Sequence, residues 1–174
     1  MNLRLDFQTA RLDELPAYLA FSQAAQTRIR AKGLAQFLPA AHDEFADAMR
    51  RRIEAGSLVA VRSDADTVAF FNLEPLRSKW WPADDVQAIY LAGIVVSSEW
   101  SGRGIGSEIL RWCVRKAARQ GFQAVRLDCH AGNPWLRQYY ESHGFTLRGF
   151  VAMHPGYDGC LYELGPVPAE QDPP

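Results

Sequence analysis

The chain has 174 residues, a length that suits one domain with a single well-filled core. Its 48% hydrophobic and 22% charged residues describe a globular chain, and 19 basic against 20 acidic side chains, net −1, give no electrostatic case for nucleic acid or an anionic membrane. No apolar run approaches the roughly 20 residues that span a bilayer, the opening Met1-Asn2-Leu3-Arg4-Leu5-Asp6 lacks the apolar core of a secretion signal, and three scattered cysteines (Cys113, Cys129, Cys160) exclude a disulfide framework and a cysteine-rich zinc site, which suits a reducing, cytoplasmic setting.

Leu3, Leu5 and Phe7 alternate with Arg4 and Asp6, which predicts an opening strand with one buried face. Leu12, Leu15, Leu19 and Ile29 keep a helical spacing. Lys32-Gly33 and Pro39 break it before a second helix over 44–54, with Gly56 as its C-cap. Strands follow at 58–61 and 68–73 around the polar turn Ser63-Asp64-Ala65-Asp66, then a loop over 77–85. Residues 89–96 read as a central strand, apolar on both faces and so buried on both. A helix over 105–120 sets Ile105, Ile109, Trp112, Cys113 and Lys116 along one stripe and stops at Gly121. A strand at 124–129, a short helix at 135–142 and strands at 145–153 and 161–164 follow, the last two joined by a loop over 154–159. Together these predict an α/β chain: a mixed sheet of about seven strands with helices on both faces. One domain covers 1–165, and the proline-rich 166–174 reads as a frayed tail.

The junction between the central strand and the helix after it carries the first chemical signal. Ser101-Gly102-Arg103-Gly104-Ile105-Gly106 is not a dinucleotide fingerprint, because Ile109 and Ser107 stand where either frame needs its third glycine. It is not a nucleotide P-loop either, since no Gly-Lys-Ser/Thr follows. Two readings stay open: a tight turn whose glycines serve geometry alone, or a strand-to-helix turn whose amides and helix dipole face an anion. In the second, Gly104 and Gly106 remove Cβ atoms that would block a phosphate, and Arg103 adds a mobile positive charge.

A second signal lies 27 residues beyond Gly106, at Asn133. Asn133 before Pro134 suits an N-cap followed by proline at the first helical position, and an amide there can cap the helix, meet a ligand, or do both. Tyr140 is seven residues on, about two turns along the same helix face. One ring of Tyr139-Tyr140 must face the core. A phenol held beside a departing thiolate can act as a general acid.

With both signals in hand, the chain resembles the GNAT superfamily of acyl-CoA-dependent N-acyltransferases, over most of its length and most specifically over 91–145. That family's pyrophosphate loop reads Gln/Arg-x-x-Gly-x-Gly/Ala; Gly104 and Gly106 match it, and Ser101 stands where Gln or Arg is usual. Asn133-Pro134-Trp135-Leu136-Arg137-Gln138-Tyr139-Tyr140-Glu141-Ser142-His143-Gly144-Phe145 resembles its Asn-x-x-(small)-x-x-x-Tyr-x-x-x-Gly-Phe motif, with Leu136 larger than the small residue often seen there.

The resemblance implies acetyl-CoA as co-substrate and no metal. It implies that the backbone of Ile94, Val95 and Val96 pairs with the pantetheine arm like an added strand. The amides of Gly102, Arg103, Gly104, Ile105, Gly106 and Ser107 would hold the pyrophosphate, Asn133 would lie near the pantetheine, and Tyr140 would protonate the leaving thiolate. A base must take the proton of the acceptor ammonium. Asp128, which ends a strand and occupies a position where some family members keep a carboxylate, is the first candidate, against the alternative of a plain strand-end carboxylate. Glu74 and Glu99 follow, Glu99 rather as a brace for the phosphate turn, and His130 and His154 can also serve. The acceptor, a small-molecule or peptide amine, would meet residues 27–38 (Arg28, Arg30, Lys32, Phe37), residues 154–159 (Tyr157, Asp158) and Trp80-Trp81, where no single-sign patch selects its charge. A homodimer is compatible with the family, and a binding module that keeps the CoA cleft without turnover is the alternative function.

Overall fold

The computed structural model describes residues 4–34, 42–165 and 167. The expected positions Phe37 and Pro39, and 166 and 168–174 of the expected tail, lie outside the described residues. The chain divides into two compact units, Met1–Leu73 with Gly93–Ile105, and Glu74–Ala92 with Gly106–Pro174.

In the first unit the alternating start forms strand β1 (Leu5–Thr9). One 3-10 turn, Leu12–Glu14, leads into helix α1 (Leu15–Ala31), and helix α2 covers His42–Glu54. Gly56, at φ 71°, ends α2 as its composition predicts: its amide donates to Ile53 and that of Ser57 to Arg52, both at 2.9 Å. Strands β2 (Leu58–Ser63) and β3 (Asp66–Glu74) form an antiparallel hairpin, and β1 pairs with β2. Tyr18, Met49 and Ile53 from the helices pack with Leu58, Ala60, Phe70 and Val95 in one apolar cluster.

The second unit is built on strand β5 (Ala124–His130). Strand β4 (Ala88–Val96) contributes Ala88–Ala92 here, paired in parallel from Ala88↔Ala124 to Leu91↔Leu127. Strand β7 (Tyr157–Leu164) pairs antiparallel with β5, and β6 (Thr146–His154) with β7. Helices α3 (Ile105–Arg119) and α4 (Pro134–Ser142) complete it. The seven strands follow the order β1-β2-β3-β4-β5-β7-β6, the mixed sheet with helices that the sequence predicts.

Four expectations need correction. The expected loop over 154–159 is a tight hairpin: His154 pairs with Tyr157, and only Pro155 and Gly156, the latter at φ 76°, lie between the strands. Strand β4 is not buried along its whole length, for Gly93 is exposed at φ 62°, a conformation that takes the chain out of the regular pleat. The core stripe of α3 is Ile105, Ile109, Leu110, Cys113 and Ala117, while Trp112 and Lys116 lie half-buried at its edge with the ammonium 5.5 Å from the indole centroid. Val167, in the expected frayed tail, is buried, and its amide donates to the Gln123 carbonyl at 2.8 Å. No helix among the described residues is long and apolar enough to cross a membrane.

Candidate active site

The turn ahead of α3 needs glycine for two different reasons. Gly102 and Gly104 take left-handed φ values of 78° and 81°, and a Cβ at either would meet nothing within 4 Å. The backbone demands glycine there, and the space beside it is open. Residues 101–104 are exposed, so the start of α3 is free to meet an anion with the helix dipole behind it. At Gly106 the reason is a neighbour: a Cβ would stand 2.6 Å from Tyr139 Oη. Arg103 is laid over Trp100, its guanidinium 5.0 Å from the ring centroid. The side chain of Ile105 is sunk in the core and anchors the first turn of α3.

Ser107 joins a polar cluster that sequence reasoning missed. Its Oγ lies 2.8 Å from His143 Nε2 and 3.3 Å from Tyr139 Oη. His143 Nδ1 meets the Tyr139 carbonyl at 2.8 Å. A carbonyl only accepts, so in the neutral ring Nδ1 carries the proton and Nε2 accepts from the Ser107 hydroxyl. The i, i+4 spacing of Tyr139 and His143 was visible, but their meeting with α3 was not.

At the end of β4, Ile94 and Val96 are half-buried and Val95 is buried. Arg28 Nη2 donates to the Val96 carbonyl at 3.0 Å. An expected acceptor-binding arginine is thus engaged by the backbone of an expected cofactor strand. Asn72, fully buried, has its Nδ2 3.2 Å from where a Gly93 Cβ would stand, with Tyr18 Oη 3.7 Å from the same point. Burial pushes Tyr18 up to about 12, keeping it neutral, and nearby Arg52 and the Asn72 amide pull weakly the other way.

The end of β5 carries the titratable groups. Alternation along the strand sends Ala124, Arg126 and Asp128 to one face and Val125, Leu127 and Cys129 to the other. Asp128 is half-buried, and burial alone pushes its carboxyl above the usual carboxylate range. Tyr157, also raised to about 12, chiefly by burial, feels the Asp128 charge next. On the opposite face Tyr140 is buried, edge-on to Phe145 with centroids 5.8 Å apart, and close enough to Cys129 and Asp128 for both to raise it. Burial is the main cause, and it keeps the phenol a neutral donor. Asn133 is buried and caps α4, its Oδ1 accepting from the Leu136 amide at 3.1 Å.

The remaining candidates stand elsewhere. His130 is tilted on Tyr157, centroids 4.5 Å apart, and its Nδ1 accepts from the Gly132 amide at 2.7 Å. His154 meets Trp80 edge-on at 5.4 Å. Glu99 is exposed on the 3-10 turn Ser98–Trp100, and Glu74 is half-buried where β3 ends. Trp81 is buried against Tyr90, with the Arg126 guanidinium 4.4 Å from its ring, and so offers little surface to an acceptor. Among the described residues no group of three or more His, Cys, Asp or Glu could hold a metal ion.

Comparison with known proteins bears on the family and the fold. The description "Acetyltransferase (GNAT) family" matches residues 22–145, well over half of the chain. A curated relative, the uncharacterized N-acetyltransferase YesJ of Bacillus subtilis (strain 168), is 29% identical over 102 residues, which are 56% of this chain and 57% of the relative. The match therefore spans little more than half of that relative's length. Among solved structures, a GNAT-family acetyltransferase from Streptococcus agalactiae 2603 superposes with a TM-score of 0.81 at 15% identity, covering 94% of this chain and 98% of the other. One from Listeria monocytogenes 4b F2365 gives 0.73 at 19% identity, covering 94% and 95%. These two likenesses speak to the fold, and the match over 22–145 to descent: the chain belongs to the acetyltransferase (GNAT) family.

Proposed function

We propose that this chain moves an acetyl group from acetyl-CoA to a primary amine by direct attack, both substrates bound together, and that residues 1–165 act as one catalytic domain, since the matched span draws on both units. The observation that carries this reading is the pair of proton-handling groups at the end of β5, Asp128 on one face and Tyr140 against the other. When bound, the cofactor supplies a thioester carbon open to amine attack.

The amides of 102–107 hold the pyrophosphate, and the open space beside Gly102 and Gly104 supports that fit. The backbone of Ile94, Val95 and Val96 takes the pantetheine arm, with Asn133 beside it. Asp128 accepts the proton that the acceptor nitrogen must lose, and a carboxyl raised by burial is the better base near neutrality. As the C–N bond forms and the C–S bond breaks, the Tyr140 hydroxyl gives its proton to the sulfur. Three buried, unpaired cysteines agree with a reducing compartment such as the cytoplasm.

The test is thiol release from acetyl-CoA over a panel of amines, run beside the CoA-dependent melting shift. Release with at least one amine is expected. Thermal stabilisation with no release on any amine would instead mark a CoA-binding sensor. Tyr140→Phe keeps the ring and removes the proton. Its turnover should fall by at least an order of magnitude, within the ~10²–10⁴-fold typical of acid–base catalysis, with CoA affinity little changed and the deficit shrinking at high pH. Near-normal turnover with a lowered melting temperature would move Tyr140 out of the mechanism and into the core.

A further inference from the structure

Beside Asp128 the second unit builds an aromatic wall that the proton transfers leave unused. The sheet face that carries Asp128 continues through His130 on β5 and through Leu161, Gly159 and Tyr157 on β7, since Asp128 pairs with Leu161 and His130 with Gly159. His154 stands opposite Tyr157 across the hairpin. The rings meet in pairs along this face: Trp80 lies edge-on to His154 at 5.4 Å, and Tyr157 is tilted on His130 with centroids 4.5 Å apart. Trp80 and Tyr157 both pack on the apolar cluster that holds Met153 and Leu161. All of these residues belong to the second unit.

The wall has a different charge at each end. Tyr157, raised chiefly by burial, next feels the Asp128 carboxylate, so the anionic end lies beside it. At the Trp80 end the exposed Lys79 lays its ammonium 4.4 Å from the ring centroid. The rings nearest Asp128 add no positive charge. Tyr157 stays neutral at about 12, and His130 Nδ1 accepts from the Gly132 amide at 2.7 Å, a bond that only an unprotonated Nδ1 makes. Gly159 keeps the floor flat, because a Cβ there would collide with the end of the Met153 side chain. A carboxylate, then flat apolar rings, then an ammonium suit an acceptor with one amine and an uncharged flat body. They disfavour a diamine, whose second ammonium would meet Lys79.

We propose that the acceptor of this chain is an arylalkylamine, its ring laid along Trp80 and Tyr157 and its amine directed to Asp128. The inference rests on the reading of Asp128 as the base and names the substrate class that this base serves. Aromatic pairs gain more than the area they bury, through edge-to-face and offset contacts. An aryl body is therefore held better here than an alkyl chain of similar length. Trp80 and Tyr157 act on selectivity and take no part in the proton transfers.

The experiment uses the whole chain, acetyl-CoA and three amines: phenethylamine, n-butylamine and putrescine. Thiol release gives kcat/KM for each, and calorimetry with CoA present gives each amine's affinity. Phenethylamine should exceed the other two by about tenfold or more in both measurements. Trp80→Leu and Tyr157→Leu, each checked for folding by a melting curve, should bring the ratio of phenethylamine to n-butylamine toward one. Tyr157→Phe keeps the ring and should keep the ratio. A residue with a structural role alone would scale both amines together and leave that ratio where it was. Equal values for phenethylamine and n-butylamine, or a ratio that survives the leucine variants, overturns the wall while leaving the transfer reading standing. Selective binding of phenethylamine with no thiol release on any amine supports the wall and overturns the transfer reading. No binding and no release overturns both.

Discussion

Arg126 and Asp128 stand two residues apart on the same face of β5, and they are treated in opposite ways. Arg126 is almost fully buried and fully partnered: it pairs with Asp84 at 2.6 Å and Glu163 at 2.7 Å, donates to the Tyr90 hydroxyl oxygen at 3.2 Å, and lies over the Trp81 ring. Asp128 is half-buried, and no cation among the described residues is paired with it. The same strand therefore holds one buried charge that is neutralised for structure and one that is left poised. A carboxyl raised by desolvation moves toward the range in which a base works near neutrality, whereas a clamped guanidinium stays charged there and cannot serve as a base. Under the proposed function, the fully answered charge belongs to the scaffold and the unanswered one to the chemistry.

The first way to break this comparison is to remove the clamp. Arg126→Met keeps much of the apolar volume but strips Asp84 and Glu163 of their shared partner. Removing one member of a buried ion pair costs about 3–5 kcal/mol, and the lower end is expected because Arg148 still holds Glu163 at 2.6 Å. Denaturant unfolding should show that loss, while turnover per folded molecule stays near normal. A stable Arg126→Met with lost turnover would put Arg126 in the site and erase the distinction.

A smaller effect with a definite sign sharpens the other side. Folding raises the Asp128 carboxyl. A group raised on folding contributes stability below its unfolded pKa and loses it as pH rises through the folded value. At neutral pH ionised Asp128 therefore works against the fold, and Asp128→Asn should melt above the unchanged protein. The advantage should close as pH falls below the ordinary carboxylate range. A lower melting temperature at neutral pH would mean that Asp128 makes a stabilising contact instead.

The sequence made one of these regions visible and hid the other. The glycine turn, the Asn133 cap with Pro134, and Tyr140 could be read because each depends on neighbours within a turn or two of the chain. Helix ends were legible for the same reason, as the Gly56 stop shows. The Arg126 clamp was not, since its partners lie 42 and 37 residues away in a loop and another strand. Nothing local to Trp81 shows that it faces a buried guanidinium. The reason for Gly106 was likewise hidden: its neighbour Tyr139 belongs to α4, 33 positions on. Residues 154–159 looked like a loop because their polar and glycine content outweighed the strand pairing that only β6 could reveal.

The most direct test of the central claim, that the unclamped end of β5 performs the chemistry, is thiol release from acetyl-CoA by Asp128→Asn on an amine that the unchanged protein acetylates. The account predicts turnover reduced by about 10²–10⁴-fold, with acetyl-CoA affinity retained by calorimetry and the melting temperature not lowered. Thiol release at the unchanged rate would contradict it, and would return Asp128 to the role of an ordinary strand-end carboxylate.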